Sequence, residues 1–184
     1  LHKKINELSI LCELGKVLGS TLNLEEILKI ILIGVTAGQG LGFNRAFLLL
    51  LNPAGTILEG KIAIGPSNPE EAQRIWNSLS DKDQSLEEVL KSYKNILKEK
   101  DVLVNQMVKK LKVSLSDRNN PLIKSMLNKK AIHISRGKES GDDSLFDLLQ
   151  TDQFAVAPLI SKNKMLGVII ADNLINQKPI EDEA

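Results

Sequence analysis

The spacing of apolar residues predicts two helices at the beginning of the chain. Up to residue 22, leucines recur at the three-, four- and seven-residue steps of one helical face, at Leu8, Leu11, Leu18 and Leu22. Asn23 then has the character of an N-cap, and Glu26 three residues later completes a capping box for a second helix. We therefore expect an N-terminal signalling helix over residues 1–22 and a folded domain over residues 23–184.

The apolar pattern changes to that of β-strands after a cluster of glycines. Arg45–Leu51 and Thr56–Ile64 flank a polar turn, so we expect them to form an antiparallel hairpin. Phe154–Ile160 and Met165–Asp172 flank a second polar turn and predict a second hairpin. A short segment at Ala131–Ser135 adds one more strand. Strands that arrive as hairpins predict an antiparallel sheet.

Helix-start signals fill the region between the two hairpins. Asn68 before Pro69 and Asn120 before Pro121 each place a capping residue ahead of a first-turn proline. A third, brief helix is expected over residues 143–149. Because these helices must bury their apolar sides, the sequence predicts an α+β fold in which helices cover both faces of a central antiparallel sheet.

The longest predicted helical segment is an insertion at about residues 84–117. Its apolar positions alternate in steps of four and three, a heptad pattern that one lysine interrupts, at Leu86, Leu90, Tyr93, Leu97, Lys100, Val104, Met107 and Leu111. Two interpretations remain open. The helix packs back on its own sheet, or it pairs with a second copy of the chain.

Composition and charge exclude several functional classes. With 24 Lys and Arg against 23 Asp and Glu, the net charge is +1, which gives no electrostatic reason to expect nucleic acid or an anionic membrane. Aromatic residues make up 3% of the chain, too few for the stacking platforms of single-strand binders. The longest apolar runs, such as Ile30–Val35 and Ala46–Leu51, are far shorter than the roughly 20 residues of a membrane helix.

The single cysteine and the two ends of the chain bear on its context. Cys12 cannot form an internal disulfide and suits a reducing compartment, so we expect a cytoplasmic location. The chain begins at Leu1 and ends on an acidic run at residues 181–183. We therefore expect a piece of a longer protein in which the closing C-terminal helix is truncated.

Two stretches of the chain resemble the first and last hairpins of GAF domains. The first is Leu41–Gly55 (LGFNRAFLLLLNPAG), followed by Leu58-Glu59-Gly60. The second is Phe154–Ile160 (FAVAPLI), followed by Lys164–Asn173 (KMLGVIIADN). The resemblance covers most of the chain and implies a GAF-like sheet of about six strands between helices. It implies a sensing or dimerising module of the kind that precedes histidine kinases, diguanylate cyclases or enhancer-binding activators.

Two differences from the sequence motifs of cofactor-binding GAF domains bear on which cofactor this chain could bind. Cyclic-nucleotide-binding members carry an Asn-Lys pair and then a Phe, whereas this chain has Asn176-Gln177-Lys178 and Ile180. The departure speaks against a cyclic nucleotide. Bilin-binding relatives attach their pigment through a pocket cysteine, whereas Cys12 lies on the N-terminal helix, so no covalent chromophore is expected. The cofactor is otherwise unknown.

No set of side chains in the sequence suggests catalysis or a metal site, and the acids near residue 142 are interpreted as a solvated loop. A ligand pocket is predicted with apolar walls and polar candidates, at Ile62, Ile64, Trp76, Phe154, Val156 and Ile170 and at Lys61, His133 and Asp172. The resemblance places His133 on the strand that borders the family's pocket. A hydrogen-bonded structural histidine is the favoured interpretation of that residue.

Two hypotheses about function follow. The first is a non-catalytic GAF sensory domain that binds a small molecule, or forms a homodimer through its N-terminal helix, and controls a fused output domain such as a histidine kinase. The second is a ligand-free dimerisation or protein-interaction module, in which side chains such as Trp76 and Phe154 fill the pocket. Neither hypothesis includes nucleic acid or membrane insertion.

Overall fold

The computed structural model describes residues 23–36, 41–78, 103–137 and 143–180, together with Cys12 and Gly15, and only the backbone of residues 75–78. The described helices are α1 (Leu24–Thr36), α2 (Pro69–Ser78), α3 (Leu103–Lys110), α4 (Pro121–Asn128) and α5 (Ser144–Leu149). The described strands are β1 (Arg45–Leu51), β2 (Ile57–Ile64), β3 (Lys112–Ser114), β4 (Ile132–Ser135), β5 (Gln153–Ser161) and β6 (Lys164–Asp172). Two predictions fall outside the described residues. One is the truncated C-terminal helix, and the other is the dimer helix with its residues Leu8, Leu11, Leu18 and Leu22.

Asparagine side chains cap the N-termini of three of the helices. Asn23, Asn68 and Asn120 each accept a backbone N–H from a residue two or three positions further along, at 2.8 to 3.4 Å. These bonds satisfy N–H groups that have no partner within the helix. The helix starts predicted at α1, α2 and α4 are confirmed.

The six strands form one antiparallel sheet in the order β3-β2-β1-β6-β5-β4. The two predicted hairpins are β1 with β2 and β5 with β6. They join at the centre of the sheet through the pairing of β1 with β6, in which Arg45 lies opposite Asp172. The predicted antiparallel sheet of six strands is confirmed.

Helices pack on both faces of the sheet, as predicted. On the face called outer here, α1 covers a cluster whose buried members are Ile30, Leu32, Ile33, Ala46, Leu48, Ile64 and Ile169. On the inner face, α3, α4 and α5 enclose a larger cluster, to which the sheet contributes Phe47, Leu49, Leu58, Ala63, Val113, Ile134, Phe154, Val156, Val168 and Ile170. Removal of these two apolar surfaces from water holds the three layers together.

The predicted insertion at residues 84–117 is helical over only part of its described length. α3 ends at Lys110, and the Leu111 N–H donates to the Val108 carbonyl at 3.0 Å in a tighter closing turn. Residues 112–114 then form the edge strand β3, which pairs with β2. The prediction of helix to the end of the insertion is therefore wrong, because three residues are too few for their period to identify a strand.

The described part of the insertion packs on its own sheet. Val104, Val108 and Leu111 are buried in the inner-face cluster. The heptad pattern had placed Met107 at the core position that Val108 occupies, and Met107 is only half-buried. Of the two interpretations, intramolecular packing is correct for α3, and residues 84–102 lie outside the described part of the chain.

α3 crosses β2 in backbone contact at Gly60. The Gly60 N–H donates to the Leu111 carbonyl at 2.9 Å, and a Cβ added at Gly60 would lie 1.7 Å from the Val108 carbonyl oxygen. Asn105 provides a second tie, because its Oδ1 accepts the Ala63 N–H at 3.0 Å. Only glycine allows the helix and the strand to approach this closely, so residue 60 fixes the position of α3 on the sheet.

Replacing Gly60 by alanine is expected to lower the free energy of unfolding by at least about 2 kcal/mol, because the added methyl group collides with a main-chain carbonyl. Urea denaturation followed by circular dichroism measures the change. Lys61→Ala, on the exposed neighbouring residue, is the matched control and should change stability little. Equal losses in the two variants would contradict the close contact.

Candidate functional site

The structure brings four of the nine predicted pocket residues together on the inner face, namely Phe154, Val156, Ile170 and Asp172. Phe154 and Val156 alternate along β5, and Ile170 and Asp172 alternate along β6, so each pair presents its side chains to one face. The first three are fully buried in the inner-face cluster. Their role as ligand contacts stays a prediction.

Ile62 and Ile64 point to the outer face and pack with α1. The pairing of β1 with β2 contains a register shift that leaves Lys61 as the extra residue of a β-bulge. In a regular strand, Ile62 and Ile64 would share the face of Leu58, but the bulge reverses the alternation. The structure therefore does not place Ile62 and Ile64 on the same face of the sheet as Phe154, Val156 and Ile170.

Lys61 forms a solvated ion pair at the surface of the sheet. Its Nζ lies 2.7 Å from Glu59 Oε2, and both side chains are partly exposed. The hydrogen bond and the charge of Lys61 lower the pKa of Glu59, and the charge of Lys112 lowers it further. The structure gives Lys61 a surface role and does not place it with the inner-face residues.

His133 and Trp76 are the remaining predicted pocket residues. His133 lies on β4 between Ile132 and Ile134, both of which pack in the inner-face cluster, so its ring lies on the opposite face. The ring is half-buried, and its Nε2 lies 3.4 Å from Ser135 Oγ. Trp76 belongs to α2, and its side chain is outside the described part of the structure.

A buried ion pair between Arg45 and Asp172 lies on the inner face at one end of the sheet. Both side chains are fully buried. Arg45 Nε lies 3.0 and 3.1 Å from the two carboxylate oxygens, and Nη2 lies 2.7 Å from Asp172 Oδ2. Nη2 also donates to the Leu149 carbonyl at the end of α5, at 2.5 Å. This is the two-point recognition of a carboxylate to which the guanidinium fork is suited.

Burial raises the pKa of Asp172 above its ordinary value, because the enclosed carboxylate loses its hydration. The hydrogen bonds and the charge of Arg45 oppose this rise. The Leu174 N–H opposes it as well and donates to Asp172 Oδ1 at 3.1 Å. The carboxylate therefore receives donors from a side chain and from the main chain, which replace much of the lost hydration.

Arg45 Nη1 is buried and has no hydrogen-bond partner among the described residues. Nε and Nη2 are both engaged, so the unused donor capacity of the guanidinium is confined to this one nitrogen. A buried donor left unpaired costs about 1–3 kcal/mol, and the large majority of such groups are paired. The guanidinium carbon lies 5.2 Å from the centroid of the Phe47 ring, so the arginine also contacts an aromatic face.

Two asparagines connect the ion pair to the segment that follows β6. Asn44 directly precedes the arginine, and its N–H donates to the Asp172 carbonyl at 2.9 Å. Asn44 Oδ1 accepts the N–H groups of residues 175–176, both at 2.9 Å. The Asn173 amide donates to the Lys178 carbonyl at 3.1 Å. Residues 173–178, called the outgoing segment here, are thus bonded to the same strand ends that hold the buried pair.

A second polar cluster lies at the surface, where Arg136 is bonded to two acids. Arg136 Nη2 lies 2.9 Å from Asp147 Oδ1, and its Nε lies 3.0 Å from Asp152 Oδ1. The hydrogen bond that Arg136 donates to Asp147 is the largest of the contributions that raise the pKa of Arg136. The Arg136 guanidinium lies 5.1 Å from the Phe146 ring centroid. This cluster ties α5 to the end of β4 and the start of β5.

Sequence reasoning selected Asp172 but missed its partner Arg45. The signal was present, because Arg45 is the single charged residue of β1 and Asp172 is the single acid of β6, whose exposed Lys164 lies at the opposite end of that strand. A charge in a buried strand needs an opposite charge, and antiparallel pairing brings the start of β1 to the end of β6. The pattern of a lone cation on one apolar strand and a lone anion on another could have found the pair.

Comparison with solved structures identifies the fold. The chain is similar to residues 122 to 287 of a methyl-accepting chemotaxis protein, with 16% identity, a TM-score of 0.55, and coverage of 92% of this chain and 84% of that one. It is similar to the GAF domain of a phosphoenolpyruvate-protein phosphotransferase from Coxiella burnetii, with 14% identity, a TM-score of 0.56, and coverage of 92% and 79%. The corresponding Acinetobacter domain gives 14% identity, a TM-score of 0.55, and coverage of 90% and 75%.

No protein-family model matches the chain, and neither does any curated protein. At identities this low, the structural likeness shows the fold. The predicted α+β fold of GAF type is confirmed at that level.

Two statements about metal binding and membrane spanning apply to the residues that the structure describes. Among them, no group of three or more His, Cys, Asp or Glu side chains is placed to hold a metal ion. In the same part of the chain, no helix has the length and apolarity that crossing a bilayer requires. Cys12 is exposed and its thiol is free.

Arg45→Met is expected to lower the free energy of unfolding by about 3–5 kcal/mol, because it leaves the Asp172 carboxylate buried without a counter-charge. The double variant Arg45→Met/Asp172→Leu should recover most of that loss, since no unpaired charge remains. Urea denaturation of the two variants measures both effects. Lys29→Met, which breaks a partly exposed pair with Glu25, is the control and should have a small effect. If the double variant were no more stable than Arg45→Met, the pair would not be coupled as described.

Proposed function

We propose that this GAF-fold domain is a non-catalytic regulatory module that binds a small molecule on the inner face of its sheet and controls a fused output domain. The observation that carries the proposal is the buried Arg45–Asp172 pair, with one donor nitrogen to spare and an apolar core around it. Functional sites are where a fold retains a polar group that packing alone does not explain.

The coupling between ligand and output is proposed to pass through the ends of β1 and β6. Asp172 bonds Arg45 on one side and the Leu174 N–H on the other. Asn44 bonds the same strand end and the N–H groups of residues 175–176. A ligand that moves the guanidinium therefore changes the hydrogen bonds that fix the outgoing segment, which is the differential contact that a population shift requires.

The similar solved structures support a place in a signalling protein. One is described as a part of a methyl-accepting chemotaxis protein, and two are GAF domains of phosphoenolpyruvate-protein phosphotransferases. By analogy we propose an output domain such as a sensor histidine kinase in a two-component system, and a homodimer formed through the N-terminal helix. The proposed location is the cytoplasm of a bacterium, in keeping with a single cysteine.

A ligand-free interaction module is the second candidate, and the packing of the inner face favours it. Phe47, Leu49, Phe154 and Val156 are fully buried there, and α3 lies in backbone contact with β2 at Gly60. A face filled to this density by its own side chains needs no ligand for its stability. In this case the domain would act through pairing of two copies alone.

Native mass spectrometry of the purified 184-residue chain separates the two candidates. The sensor function predicts a native mass above that of the polypeptide. The excess mass should disappear under denaturing conditions, and its value identifies the retained small molecule. A polypeptide mass alone, together with no thermal shift from a library of common metabolites, would favour the ligand-free module. The same spectra report whether the chain is a dimer.

Asn44→Ala is expected to release the outgoing segment, because it removes the acceptor of two N–H groups. The amides of Ile175 and Asn176 should exchange with deuterium at least about tenfold faster, the effect of one lost hydrogen bond. Hydrogen exchange measured by NMR or mass spectrometry tests this. Asn52→Ala, which removes a similar acceptor at the β1–β2 turn, is the matched control and should leave these two amides unchanged. Unchanged exchange in Asn44→Ala would remove the proposed route from site to output.

A further inference from the structure

We infer that Arg45 Nη1 is the polar anchor of the ligand, and that the ligand is an uncharged molecule with an oxygen or nitrogen acceptor set in a largely apolar frame. This inference rests on the proposed function and adds the chemical class of the ligand. It depends on three properties of the site: the free donor, the charge balance and the surroundings.

The free donor is defined by the hydrogen bonds of the rest of the guanidinium. Nε donates to Asp172, and Nη2 donates to Asp172 and to the Leu149 carbonyl. Nη1 is shielded from solvent and has no partner among the described residues. An acceptor that arrives with a ligand would form a bond that the folded chain otherwise lacks, and Nη1 has already lost its hydration on folding, so binding does not bear that cost again.

The charge balance decides between an anion and a neutral acceptor. Arg45 is the buried cation and Asp172 its counter-ion, and both are fully buried. The Leu149 carbonyl at the end of α5 adds partial negative charge beside the guanidinium. A carboxylate ligand would bring a second negative charge to a cation that is already neutralised, and its lost hydration would not be repaid. A carbonyl, a lactam or a ring nitrogen has no such penalty.

The side chains around the Arg45 guanidinium indicate the shape and polarity of the rest of the ligand. The guanidinium lies against the Phe47 ring, with 5.2 Å between its central carbon and the ring centroid. Ala155 pairs with Ala171, so Phe154 is the β5 residue beside Asp172, and its ring lies 5.0 Å from that of Phe146. Aromatic and aliphatic side chains favour a flat, apolar ligand body. Since Nη1 is closed to solvent, binding requires a local opening of the domain and is expected to be slow.

The test uses benzamide and benzoate as probes, because they have the same ring and differ in charge. The ¹⁵N-labelled chain is titrated with each probe to about 10 mM, the range in which fragments bind. Side-chain Nε and Nη resonances of arginine are followed at low temperature. Benzamide is expected to shift the Arg45 signals saturably, and benzoate to bind at least about tenfold more weakly. The Arg136 signals are the internal control, because the Nε and Nη2 of that arginine are already bonded to acids.

Two variants extend the test. Arg45→Lys keeps the charge but removes the fork, and should abolish benzamide binding, whereas Arg136→Lys should leave it unchanged. The wild-type titration decides the question by itself if Arg45→Lys does not fold.

Three results would overturn the inference. Benzoate could bind as tightly as benzamide, benzamide could bind without moving the Arg45 signals, or neither probe could bind. The proposed function itself falls only if, in addition, native mass spectrometry finds no retained molecule. A retained molecule that leaves the Arg45 signals unmoved would overturn the anchor and preserve the sensor.

Discussion

The ion pair between Arg45 and Asp172 determines how the two halves of this domain meet. Each residue belongs to a different hairpin, and the hairpins join through the β1–β6 pairing that contains both. A buried charge without its partner is among the most costly defects in a protein, so the central pairing is favoured in the register that brings guanidinium to carboxylate. The same two side chains bond the end of α5 through Leu149 and the outgoing segment through Leu174, so four parts of the chain meet at one site.

Much of the fold could be predicted from the sequence because its local signals are strong. Caps at Asn23, Asn68 and Asn120 mark helix starts chemically, and both hairpins have strands of seven residues or more. The errors fall where the period is too short or is interrupted. β3 is three residues long, and the bulge at Lys61 reverses the alternation of β2. A bulge arises from the pairing of two strands, so the sequence of one strand does not reveal it.

The candidate site could be predicted only in part, for a related reason. Asp172, Phe154, Val156 and Ile170 follow from strand alternation, which is a local property. The contact between Arg45 and Asp172 spans 127 positions, and it depends on which strands become neighbours in the sheet. Predicting it required one further physical step, that two opposite charges on apolar strands must meet if both are buried.

The inner face combines two regions of different character, and under the proposed function this difference indicates where a ligand would act. On the β2 side, α3 is held by backbone contact at Gly60 and by Asn105, and a closer approach of the helix to the strand meets steric repulsion. On the β6 side, the structure is held by polar contacts around Arg45, one of whose nitrogens is still without a bond among the described residues. A hydrogen-bonding group can change from one partner to another, whereas a close-packed contact is lost when its two surfaces separate. A ligand that bonds Nη1, as proposed, would stabilise the state that binds it, beside the hydrogen bonds of Asn44 that fix the outgoing segment. In the proposed function, the α3 side would provide the fixed frame against which such a change is transmitted.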